Sequence, residues 1–143
     1  MAEILLSYAF ILSVGLVSDA DYKEYLDGQF MKDPENALLL ELEWSTSDIP
    51  GTIKVIIDYC LENNVDYDIF GRFLMRELEE IYDQENMEIQ FFSSKMYSIW
   101  EMLPYEMQNE EPFLTLCHAD DSMSWGDEGQ TRELYQKMFQ YYK

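Results

Sequence analysis

The side chains able to carry out bond-making chemistry are few. There is one histidine, in Cys117-His118-Ala119-Asp120-Asp121, and one further thiol, Cys60. A structural zinc site usually takes four Cys or His ligands, and Cys60, Cys117 and His118 supply three at most. Cys117 and His118 are neighbours, and neighbours point apart on a helix or a strand, so adjacency does not make a nucleophile–base pair. Asp120, Ser122 and Ser124 alternate like the first ligands of a calcium loop. The glycine of that pattern falls at its seventh position (Gly126) rather than its sixth, and Thr131 stands where the closing Glu belongs. Gly-rich phosphate loops, nucleophile elbows and HExxH are absent from the sequence. The expectation is a protein that is not an enzyme and holds neither metal nor cofactor.

Carboxylates are the abundant chemistry. Twenty-nine Asp and Glu face nine Lys and Arg, for a net charge of −20. Direct binding of nucleic acid needs cations against phosphate, so that class is excluded, and anionic membrane surfaces with it. Between Lys95 and Arg132 lie 36 residues without a base, carrying Glu101, Glu106, Glu110, Glu111, Asp120, Asp121, Asp127 and Glu128. A second base-free window, Asp33 to Ile53, holds Asp33, Glu35, Glu41, Glu43 and Asp48. Like charges without counter-charges raise the energy of the compact state and attract a basic partner over long range. In the long window, Asp120, Asp121, Asp127 and Glu128 flank Trp125. Trp presents a face to Arg, and carboxylates accept bidentate guanidinium bonds. Glu106, Glu110, Glu111, Asp120, Asp121, Asp127 and Glu128 are therefore the expected electrostatic contacts, with Trp125 as their apolar anchor.

The elements that must position them read as helices. At 143 residues and 48% hydrophobic, the chain is long and apolar enough for one folded domain. The apolar run Ile4–Val17 is 14 residues, too short for a bilayer span and without a preceding base, so it reads as a buried first helix. Ser18 or Asp19 caps a second helix bearing Tyr22, Tyr25, Leu26 and Phe30. Asp33-Pro34 restarts a third through Ala37, Leu38, Leu40 and Leu42 to Trp44. The turn Ser45-Thr46-Ser47-Asp48 and Pro50 open a fourth, with Ile53, Ile56, Ile57, Cys60 and Leu61. Helix five starts near Asp66, and Arg76 has Glu79 and Glu80 at pairing distance. Asn86 caps helix six, which Pro104 ends. Residues 113–117 fit a short helix or a strand, because five residues are too few for periodicity to decide. Leu134, Tyr135, Met138, Phe139 and Tyr142 line a last helix. The expected architecture is all-α, a single domain over 1–143 with about six to eight antiparallel helices. Two thiols far apart, with no CxxC, fit a reducing cytosol, with a single Cys60–Cys117 disulfide as the alternative.

The stretch Leu38-Leu39-Leu40-Glu41-Leu42-Glu43-Trp44-Ser45-Thr46-Ser47-Asp48-Ile49, leading into Ile53-Lys54-Val55-Ile56-Ile57, resembles the small acidic immunity proteins encoded beside bacterial toxin domains, contact-dependent inhibition systems included. The resemblance covers about 20 residues and transfers no individual site residue. It implies a cytoplasmic protein that neutralises a cognate basic toxin, often a nuclease, by covering its active site or nucleic-acid groove. Two other readings share these features. One is a DNA mimic or regulator that binds a basic nucleic-acid-binding protein; the other is a carboxylate-based, metal-dependent enzyme.

Overall fold

Helices form wherever the apolar residues recur at three and four positions. The computed structural model describes residues 1–16, 19–45 and 48–143, and these hold nine α-helices and one 3₁₀ turn, with no strand among them. In order they are α1 (Ala2–Ser13), α2 (Ala20–Lys32), α3 (Ala37–Trp44), α4 (Ile49–Glu62), α5 (Tyr67–Tyr82), α6 (Ile89–Met102), α7 (Tyr105–Gln108), α8 (Thr115–His118), the 3₁₀ turn Asp121–Trp125, and α9 (Glu128–Gln140). The all-α expectation holds. The ambiguous segment 113–117 enters α8 rather than a strand. Val17, Ser18, Thr46 and Ser47, which the sequence places in a helix end, a cap and a turn, lie outside the described residues.

Several starts sit where the side chains predict them. Asp48 Oδ1 accepts from the Gly51 amide at 3.2 Å, with Pro50 in the first turn, and Asp66 Oδ1 accepts from Asp68 at 3.0 Å. Two caps differ. Asp33 ends α2, its amide still donating to the Gln29 carbonyl. Asn36 caps α3 instead, its Oδ1 accepting from Leu38 and Leu39 at 3.0 and 3.2 Å. Asn86 caps nothing: α6 starts three residues later behind Glu88, whose extended backbone makes no side-chain capping bond. Glu79 pairs with Lys143 at 2.7 Å, a partner 64 residues away that helical spacing does not suggest.

The chain divides into two compact units, residues 1–74 and 75–143. The first unit is centred on α1, buried from Leu5 to Ile11 as its apolar run predicts. Its rings interlock edge to face: Tyr8 on Tyr22 and Phe73, and Phe10 on Phe70 at 5.3 Å. Each such pair adds about 1 kcal/mol beyond the area it buries. Glu3 ties the first turn of α1 to the α4–α5 connection, its Oε1 accepting from the Asp66 amide at 3.1 Å. Burial works to raise the Glu3 carboxyl; hydrogen bonds from its own amide and that of Asp66, with the N-terminal ammonium, outweigh it and hold the group below its ordinary value.

The second unit is built on an aromatic cluster. Phe92 and Tyr135 are fully buried with ring centroids 5.2 Å apart, and Tyr82 meets both, at 5.2 and 5.9 Å. Met96, Ile99, Leu116 and Met138 complete this core, which fixes α6, α8 and α9 as a frame for the irregular segment between them.

Candidate functional site

The base-free window occupies that frame. Pro104 stops α6, and α7 follows as a single turn. A reciprocal pair of bonds locks the corner: Trp100 Nε1 donates to the Gln108 carbonyl at 3.0 Å, and Gln108 Nε2 donates to the Trp100 carbonyl at 2.9 Å. With Met107 turned into the core, Tyr105 and Glu106 face solvent, Tyr105 at 78% exposure. Glu110 is exposed at the end of this turn. Glu111 is exposed too, and its Oε2 accepts from the Thr115 hydroxyl at 2.9 Å at the start of α8.

Beyond α8 a buried polar knot pins the loop to α9. Thr131 Oγ1 donates to the Ala119 carbonyl at 2.6 Å and lies 2.9 Å from Ser122 Oγ. The 3₁₀ turn closes at Gly126, whose φ of +86° suits a residue without a Cβ. The Asp127 amide donates back to the Ser122 carbonyl at 2.9 Å, and Asp127 Oδ1 caps α9 at the Gln130 amide, 3.0 Å away. Trp125, at the tip, is 68% exposed. It is not tucked into the core, so the apolar anchor expected there is available.

The carboxylates separate into two kinds. Asp127 is the α9 cap, and Glu128 approaches Arg132 at 3.5 Å. Arg132, the base that ends the window, is engaged first by the Tyr82 hydroxyl and then by Glu128, and both raise its pKa. Glu101, Glu106, Glu110, Asp120 and Asp121 form no ion pair among the described residues. Burial raises the Cys117 thiol pKa, the thiol's bond to backbone opposes that, and the charges of Asp121, Asp120 and Glu111 raise it further. Asp120 also acts on Tyr135, whose phenol is pushed far up, chiefly by burial. Glu106, Glu110, Glu111, Asp121 and Trp125 are thus exposed, while Asp120 is half-buried.

Sequence reasoning does not anticipate Tyr105 or the Ser122–Thr131 knot. The proline before Tyr105 was the available signal, since it forces a short turn that has only one inward position. Nothing local marks Thr131 as buried, because its partners lie nine and twelve residues away.

Metal-binding geometry is not present among the described residues: no three His, Cys, Asp or Glu come together closely enough to hold an ion. Cys60 and Cys117 are both free thiols. No described helix is long and apolar enough to cross a membrane. No family model, curated protein or solved structure matches the chain.

Proposed function

We propose that this chain is a cytoplasmic, non-enzymatic immunity-type protein, which neutralises a cognate basic toxin by laying its acidic window over the toxin's active site or nucleic-acid groove. The observation that carries the reading is Trp125, 68% exposed on a loop held by buried hydrogen bonds, with Asp120 and Asp121 close by in the chain and without ion-pair partners among the described residues. An exposed aromatic with carboxylates near it in the chain offers a face to guanidinium groups and suits an Arg-rich surface. A net charge of −20 steers such a partner in and repels nucleic acid itself.

Titration calorimetry against the product of the neighbouring gene, in roughly 0.05 M and 0.5 M salt, tests the reading, because the screening length falls several-fold over that span. Tight binding that weakens with salt is expected. Absence of binding at the lower salt rejects a dedicated inhibitor. Unchanged affinity after joint replacement of Asp120, Asp121 and Glu128 by Lys moves the interface away from the window.

A further inference from the structure

An open groove lies wholly within the first unit, where α3 meets α4. Ala37, Leu38 and Glu41 line it from α3; Lys54, Val55, Asp58, Tyr59 and Glu62 line it from α4, around about 390 Å³ of open space. The periodicity sorts these walls. Ala37, Glu41 and Trp44 follow one another at helical spacing along α3, while Val55, Tyr59 and Glu62 do the same on α4, with Lys54, Asp58 and Leu61 on the adjoining stripe. The floor is apolar and the walls are acidic.

Two features single this groove out. On the same two helices, outside the groove lining, Trp44 and Leu61 are 88% and 79% exposed, so large apolar side chains stand in water without cover. Its one lining cation, Lys54, is already bound to Asp58 at 2.7 Å, while Glu41 and Glu62 form no ion pair among the described residues. Glu41 also belongs to the base-free window 33–53. The open space is therefore apolar below and uncompensated in charge above.

We infer that the α3–α4 groove docks an amphipathic basic helix of a partner protein, with leucine-like side chains on Leu38, Val55 and Tyr59 and with Arg or Lys on Glu41 and Glu62. Charge selects this occupant. A second copy of a chain at −20 would bring acid onto acid, and an acidic peptide would meet Glu41 and Glu62 with nothing to offset them. Helix-in-groove recognition uses anchors at three- and four-residue spacing, which the two parallel rows of lining residues match. The inference uses none of the residues of the window at 106–128 and does not require the partner to be a toxin.

The test is a heteronuclear NMR titration of the full chain with a synthetic helical peptide of about 16 residues, long enough to hold helix, with Leu at i, i+3 and i+7 and Arg on both flanks. A scrambled peptide of the same composition is the control. Saturable shifts at the amides of Ala37, Leu38, Val55 and Tyr59, with the patterned peptide preferred, are expected. Joint Glu41→Lys and Glu62→Lys, both at exposed positions, should weaken binding about tenfold or more. Separately, Ala37→Arg should block the groove while leaving the helical circular dichroism intact. Equal binding of the scrambled peptide, or shifts confined to 106–128, would overturn the inference as mere attraction to an acidic protein. So would a concentration-dependent dimer in sedimentation that Trp44→Ser dissolves, because a second copy would then be the occupant.

Discussion

The Thr131 hydroxyl donates to the Ala119 carbonyl at 2.6 Å, bridging helix α9 to the residue that follows α8, and both groups are buried. The same oxygen meets Ser122 Oγ at 2.9 Å, so one threonine satisfies two polar groups that water does not reach. Thr131→Val keeps the shape and removes both bonds, which should destabilise the fold by about 1–3 kcal/mol. Urea denaturation measures this. Adding Ser122→Ala should cost less than the sum of the single changes, since the two residues share a bond.

Trp125 is expected to separate binding from stability. Being exposed, Trp125→Ala should alter the unfolding free energy by no more than about 0.5 kcal/mol. On the proposed function it should weaken the toxin complex by about 2 kcal/mol or more. Parallel calorimetry and thermal melts check both halves, and intact affinity would remove Trp125 from the interface.

Asp127 needs a different substitution from its acidic neighbours, because its Oδ1 caps α9. Asp127→Ala should lose about 1 kcal/mol of stability, whereas Asp127→Asn should retain the cap and remove only the charge. Comparing their denaturation midpoints distinguishes a structural carboxylate from an interfacial one.

Glu43 gives stability a pH dependence. Burial raises its carboxyl first, and the hydrogen bond and negative charge of Asp27 raise it further. A folded-state value above the unfolded one means that the folded chain holds the proton more tightly. The stabilisation is complete below the ordinary value of 4.5 and is lost as pH rises through the raised folded value. Glu43→Gln, which donates to Asp27 without carrying charge, should therefore be more stable than the parent chain at neutral pH, with the advantage shrinking below pH 4.5. Thermal melts of both proteins across that range read it directly.

The Cys60 thiol is buried against α1, its Sγ 3.9 Å from the Ala2 carbonyl, and burial with the nearby Glu3 charge pushes its pKa up to about 11. At pH 8 only about one thiol in a thousand is then ionised. Iodoacetamide should leave Cys60 unmodified in the folded chain and label it promptly in denaturant, as peptide mass mapping would show. Labelling at equal rates in both states would contradict its burial.

Much of the helical plan was readable from side-chain spacing. Asp48-x-Pro50, Asp66 and the periodic stripes of α5, α6 and α9 each combine a local start signal with an apolar face, and both act within one or two turns. The errors were local competitions. Asp33 and Asn86 have capping side chains, yet Asn36 stood nearer the first amides of α3, and α6 began where its apolar stripe begins. Leu40 and Leu61 belong to the apolar residues of their helices, yet they are exposed at 38% and 79%, since a helical stripe does not say how much of its width a neighbour covers.

By itself the sequence determined the helices, the excess of carboxylate and the base-free windows, because propensity, capping and charge are properties of residues a few positions apart. Only the tertiary structure decided which carboxylates find distant partners: Glu79 meets Lys143, and Glu3 accepts from the Asp66 amide. It alone turned Trp125 and Trp44 outward and placed Thr131 beneath Ala119. Exposure and long-range hydrogen bonding depend on which helix packs over which, and that choice is made by the shapes of whole apolar faces rather than by any residue's own preference.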